Sequence, residues 1–279
     1  MSFRTYHDLT GEDRSRLGEQ VAAQRERVRE RMREVRHVVA VVSGKGGVGK
    51  SWVAAALAIG LLDRGSERVG VLDADLKSPT AAGMLRARGP LKVGAAGVHP
   101  ARGESGVHVM SSDLLLQDGS PLTWRTAGAD AFIVRGVFEM GVLREFLGDV
   151  AWGALGWLLI DMPPDSDRVE DLMALVPTLA GVVAVTVPSE ESRRSVQRAM
   201  RGARDAGAPL LGVVENMSGY ACGGCGTVGP LFDGNAGDAL AAEFDAPLLL
   251  RIPFLPGTGP SDAPFLSSRL ADAVAGALA

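Results

Sequence analysis

Gly44, Gly49, Lys50 and Ser51 fall at the spacing G-x-x-x-x-G-K-S inside the run SGKGGVGKS, Ser43 to Ser51. That run lies between an apolar stretch, Val38 to Val42, and a helix-like stretch, Trp52 to Leu62, the setting a loop needs in order to enclose a polyphosphate. Gly44, Gly46, Gly47 and Gly49 leave room for the N–H groups of the whole loop, Lys45 and Val48 included, to turn inward around the anion. The helix that follows presents its N-terminus to the same charge. Lys50 would reach the outer phosphates, and the Ser51 hydroxyl would ligate Mg²⁺. Composition points the same way. Among 29 Lys and Arg residues only four are lysine, Lys45, Lys50, Lys77 and Lys92, and two of these sit in the loop. A chain that otherwise chooses arginine keeps lysine where a compact ammonium fits and a planar guanidinium does not.

Three further groups of residues could do chemistry. Asp161 ends the apolar run LLI, and a lone carboxylate at the end of a buried strand is costly unless a cation meets it, which points to an aspartate holding Mg²⁺. Asp73 and Asp75, in LDADLKSPT, follow another apolar run and either cap the next helix or serve the phosphate site. Cys222 and Cys225 are the only cysteines, so a disulfide framework is not expected and a metal or redox pair is. A zinc ion or an iron–sulfur cluster wants about four thiolate-type ligands. The histidines, His7, His37, His99 and His108, lie far away in sequence, and a two-fold dimer would instead set two cysteine pairs face to face. A thioredoxin-like pair or an oxidised hairpin shares the spacing.

The elements that must position these residues alternate between short Val-, Ile- and Leu-rich runs and helical periods, which predicts an α/β fold with a doubly wound, mostly parallel sheet flanked by helices in a single domain. Strands are expected at 38–43, 68–73, 107–111, 157–161, 181–187, 210–215 and 247–252. Their C-terminal ends carry Gly44, Asp73, Asp75, Asp161 and Asn216, the edge where ligands bind in such sheets. Residues 1–37 are expected to form a charged helical extension lying on the surface of a domain spanning 38–279, with Val21, Val28 and Val35 at seven-residue spacing as a thin apolar stripe. The Gly-, Pro- and Arg-rich stretch Gly83 to Gly106 reads as a mobile excursion. A formal net charge of −4 argues against a broad nucleic-acid-binding surface. No stretch reads as a membrane span or a secretory leader, so neither a nucleic-acid nor a membrane partner is expected and a cytoplasmic location is.

With its second lysine, Lys45, the loop resembles the deviant phosphate-binding loop of the MinD, ParA and nitrogenase-iron-protein class of P-loop NTPases. The resemblance implies ATP as the nucleotide and a homodimer in which Lys45 crosses to the partner's nucleotide. It also implies that Asp75 orients the attacking water and that Asn216, otherwise a turn former, contacts adenine. This chain departs from the class at Trp52, where Ser or Thr is usual, and at Lys77, where a small or aromatic residue is usual. It departs again at Asp165, Ser166 and Asp167, where the pattern DLPPGTGD supplies glycines, and slow turnover is the expectation. Taken together, SGKGGVGKS, the DAD motif with Pro79, VMSS, TWR, WGALGWLLIDMPP, VENMSGYACGGCG and IPFLP resemble the Mrp/ApbC-type iron–sulfur cluster carrier ATPases over 38–259. That family implies a Mg²⁺-dependent homodimeric ATPase that holds a cluster, typically [4Fe-4S], between the Cys222 and Cys225 pairs of two subunits and passes it to apoproteins. A ParA/MinD-like positioning ATPase and a zinc-clasped targeting ATPase are the alternatives.

Overall fold

In the computed structural model, residues 17–66, 68–115, 131–164 and 168–278 are described. The TWR segment and the Asp165 to Asp167 loop lie outside the described residues.

The central strand, β1 (Val35–Val42), is VRHVVAVV, and it runs parallel to β7 (Leu155–Asp161) on one side and β8 (Gly181–Thr186) on the other. A strand covered on both faces reads as a continuous apolar run rather than an alternating one, and β7 and β8 share that character. Successive side chains still point to opposite faces. Val38, Ala40 and Val42 enter one core with Leu158 and Ile160, while Val39 and Val41 enter the other with Leu159 and Val183.

Outward from β7 the sheet continues through β2 (Val69–Asp73) and β6 (His108–Met110), both parallel, to β5 (Ala101–Arg102), which is antiparallel. Outward from β8 it continues through β9 (Leu210–Ala221) to β11 (Leu248–Phe254), again parallel, and the short β10 (Val228–Gly229) pairs antiparallel with the far end of β9. These nine strands form a mostly parallel sheet, as the alternation of apolar runs and helical periods predicts.

One face is covered by α2 (Lys50–Asp63) and α8 (Pro264–Gly276), which pack on each other. Helix α2 is buried from Val53 through Leu61, and a Cβ on Gly60 would lie 2.0 Å from the Ser267 carbonyl oxygen of α8. The other face carries α1 (Leu17–Met32), α4 (Ala131–Gly148), α5 (Arg168–Leu175), α6 (Glu190–Asp205) and α7 (Ala236–Phe244); the four-residue α3 (Ala81–Met84) follows β2. No helix among the described residues is long and apolar enough to cross a membrane.

Two regions differ from the sequence expectation. Strand β1 begins at Val35, within the stretch assigned to the extension, and Val28 and Met32 of α1 belong to the core with Phe146 and Leu147 of α4. The stretch 83–106 holds a hairpin of β3 (Lys92–Gly94) and β4 (Gly97–His99) as well as the edge strand β5. Val98 ties that hairpin to the end of α4, donating to Asp149 O at 3.0 Å and accepting from Ala151 N at 2.8 Å.

Candidate nucleotide site and cysteine hairpin

The C-terminal edge of the sheet collects the candidate residues. The phosphate-type loop leaves β1, Asp161 ends β7, and Asp73 ends β2 directly beside it, paired with it in register. Two glycines of the loop are dictated by their surroundings. A Cβ on Gly44 would lie 2.0 Å from the Ser195 carbonyl carbon of α6; one on Gly49, where φ is +81°, would lie 2.1 Å from Asn216 Nδ2. The loop is therefore clasped between α6 and β9 as well as turned by its own backbone.

Lys50, the first residue of α2, forms an ion pair with Asp161 Oδ1; the two side chains are 7% and 0% exposed. The other oxygen, Asp161 Oδ2, is buried without a hydrogen-bond partner. Burial pushes the Asp161 carboxyl up from its ordinary value, while the Lys50 ammonium and the nearby Ser51 hydroxyl pull it back. A buried carboxylate oxygen left unmatched beside a serine hydroxyl is a donor set suited to a hard divalent cation such as Mg²⁺.

Asp73 and Asp75 have different neighbours. Asp73 Oδ2 accepts from Thr80 N at 2.9 Å and Ala81 N at 3.0 Å, and its Oδ1 accepts from Asp75 N at 3.1 Å. The capping alternative thus describes Asp73, which tethers the start of α3. Burial first, and then the charge of Asp161, raise its carboxyl to about 7 against those three hydrogen bonds. Asp75 is half-buried, and its Oδ1 accepts from Lys77 N and Ser78 N at 3.2 Å each, so it lies in a turn held by its own backbone. Lys45 is half-buried, and its ammonium makes no ion pair among the described residues.

Asn216 lies on β9, six residues before Cys222, and donates from Nδ2 to Val48 O at 2.9 Å. Beside it runs a groove of about 220 Å³ lined by Trp52, Asn216, Met217, Pro253, Phe254 and Thr258. Trp52 closes one wall, its Nε1 donating to Thr258 O at 3.3 Å. Sequence reasoning marked Trp52 only as a departure and IPFLP only as a resemblance. The signal that could have found the groove is the parallel pairing of β11 with β9, which brings Ile252 opposite Asn216.

The two cysteines occupy the hairpin between β9 and β10, closed by Cys222 N to Thr227 O at 3.0 Å and Gly226 N to Cys222 O at 2.8 Å. Both are free thiols; Cys222 is half-buried and Cys225 exposed. Hydrogen bonds from Thr227, with a smaller contribution from Cys222, hold the Cys225 thiol below its ordinary value, toward the thiolate that binds metals. Among the described residues no group of three or more His, Cys, Asp or Glu side chains could hold a metal within one chain.

Known proteins resemble this chain in sequence and fold. An iron–sulfur cluster carrier protein of Saccharolobus solfataricus is 38% identical over 247 residues, 88% of this chain and 80% of its own length. The cytosolic Fe-S cluster assembly factor NUBP2 of Bos taurus is 36% identical over 230 residues, 80% of each chain. A solved nucleotide-binding protein from Archaeoglobus fulgidus in complex with ADP superposes with a TM-score of 0.68 at 32% identity, covering 89% of this chain and 92% of that one. The family model described as NUBPL iron-transfer P-loop NTPase, of the ParA group, matches residues 34–262, from the residue before β1 almost to the start of α8, and the chain belongs to that family.

Proposed function

We propose that this protein is an ATP-hydrolysing carrier that assembles an iron–sulfur cluster between two copies of itself and passes it to apoproteins in the cytoplasm. The observation that carries the reading is the pair of free thiols, Cys222 half-buried and Cys225 exposed, in the hairpin that directly follows the strand bracing the phosphate-type loop. A cluster seeks about four thiolates, and each chain offers two, so a second copy completes the set.

In this reading ATP lies with its phosphates against Gly44, Lys45, Gly46, Gly47, Val48, Gly49, Lys50 and Ser51, and its adenine in the groove beside Asn216. Lys50 supplies the main counter-charge, and Lys45 reaches the nucleotide of the partner subunit. Ser51 and Asp161 hold Mg²⁺, which neutralises charge on the phosphates when bound. Asp75 accepts a hydrogen bond from the attacking water and orients it in line with the outer phosphate; the water oxygen bonds to phosphorus as the bond to ADP breaks. The cluster is cargo. Its ligands are Cys222 and Cys225 of each copy; four thiolates hold [2Fe-2S] or [4Fe-4S], and the family resemblance favours [4Fe-4S].

Anaerobic reconstitution with iron and sulfide tests the reading. The expected product is brown, has broad visible absorbance, contains one cluster per two chains and transfers that cluster to an apoprotein. Folded protein with both thiols reduced that takes up no iron and sulfide overturns it, and a colourless protein with zinc and no acid-labile sulfide identifies a zinc clasp instead.

A further inference from the structure

Two described segments face α4 beside Asp75: the turn after β2, which carries it, and the start of α5 at Arg168. Within 74–80 the only basic residue is Lys77, and within 162–168 the only basic residue is Arg168. Both cations meet one carboxylate on α4. Lys77 Nζ lies 3.6 Å from Glu139 Oε1, and Arg168 Nη2 pairs with Glu139 Oε2. Glu139 is 12% exposed, and Lys77 is 57% exposed.

We propose that Glu139 is a positioning residue that ties the turn after β2 to the start of α5 through Lys77 and Arg168 and so fixes the carboxylate of Asp75. The link to Asp75 is direct, because the Lys77 N–H is itself one of the two donors to Asp75 Oδ1, at 3.2 Å. Apolar contact seats the roots of these segments, since Leu76 and Met162 are buried in the core with Leu143 of α4. Beyond those roots a cavity of about 120 Å³ remains against α4, bounded by Asp75, Lys77, Glu139, Met140, Met162 and Arg168. At this outer part, where packing is incomplete, the ionic contacts to Glu139 add the positioning. A half-exposed lysine pair adds little to global stability, and its effect is local: where the Asp75 carboxylate sits relative to an attacking water.

This inference rests on the ATP-hydrolysis reading above. Its test is steady-state ATPase kinetics, ATP affinity and thermal midpoint for Lys77→Met, Lys77→Arg, Glu139→Gln and the Lys77→Met/Glu139→Gln double variant. Lys77→Met and Glu139→Gln are each expected to lower kcat about tenfold while KM and ATP affinity stay within about twofold, the pattern of lost positioning rather than lost binding. Lys77→Arg should restore most of kcat, and the double variant should be no slower than Glu139→Gln alone. The mostly exposed Lys77 keeps the test valid if Glu139→Gln unfolds. An unchanged or raised kcat in folded Lys77→Met overturns the proposal, as does a loss carried by KM or by the thermal midpoint alone. A wild-type protein that hydrolyses no ATP overturns the nucleotide reading instead, so the two failures are distinguishable.

Discussion

Asn216 donates its side-chain amide to the Val48 carbonyl at 2.9 Å, and the same amide nitrogen occupies the space a Cβ on Gly49 would need. One residue of β9 thus braces the loop from below and forbids a side chain at its fifth residue after Gly44. Asn216→Ala is expected to weaken ATP about tenfold by calorimetry, the value of roughly one buried hydrogen bond. If GTP weakens equally, the brace is the whole of its role; a larger loss for ATP adds the adenine contact.

Lys50→Ala should abolish ATP binding, and it should also destabilise the fold. Removing one partner of a buried ion pair leaves Asp161 uncompensated, a cost of about 3–5 kcal/mol. The double variant Lys50→Ala/Asp161→Asn should recover most of that stability in urea unfolding while still binding no ATP. ATP binding by folded Lys50→Ala at wild-type affinity would falsify the nucleotide assignment.

Asp75→Asn should keep ATP binding and lose hydrolysis, since a neutral amide does not replace the carboxylate toward water. Lys45→Ala should look similar in a homodimer. Mixing the two variants to form heterodimers separates them, because Lys45 would act on the partner's nucleotide and Asp75 on its own; equal activity in every mixture removes Lys45 from the shared site.

Cys222→Ala and Cys225→Ala should each lose nearly all iron and sulfide, because each removes two of the four thiolates in a bridged site. ATP affinity measured on the same samples should be unchanged. Half-retention of iron in either variant would mean that the two chains do not share one cluster.

Val28→Ala, on α1, is expected to cost about 2 kcal/mol in chemical denaturation. Val28 is fully buried in the core that includes Phe146 and Leu147. A detachable surface helix would show no such loss.

The phosphate-type loop and the strand-end aspartates are legible in the sequence because their chemistry is written in consecutive residues and the strands around them are continuously apolar. What escapes is set by contacts remote in the chain. The spacing of Val21, Val28 and Val35 suggests a single surface stripe, yet on α1 it is Val28 and Met32, one helical turn apart, that enter the core, and Val35 joins that core from β1. Strand β9 is expected to stop at 215 because Asn216 reads as a turn former. It runs on to Ala221 through a bulge, with Met217 in the left-handed region at φ 53°, since β11 and β10 supply partners that no local pattern records. Glu139 carries no local signal at all; only the folded chain brings it to Lys77 and Arg168.

Between Asn216 and Cys222, β9 covers roughly 15–20 Å of extended chain. At physiological salt that is about two screening lengths through solvent, so in the proposed reading phosphate charge acts only weakly on the exposed Cys225 thiol. Met217, left-handed at φ 53° in mid-strand, marks the irregularity at which the pairing of β9 with β11 shifts register, so the strand that leads from the phosphate-type loop to the cysteine hairpin is not one uninterrupted ladder.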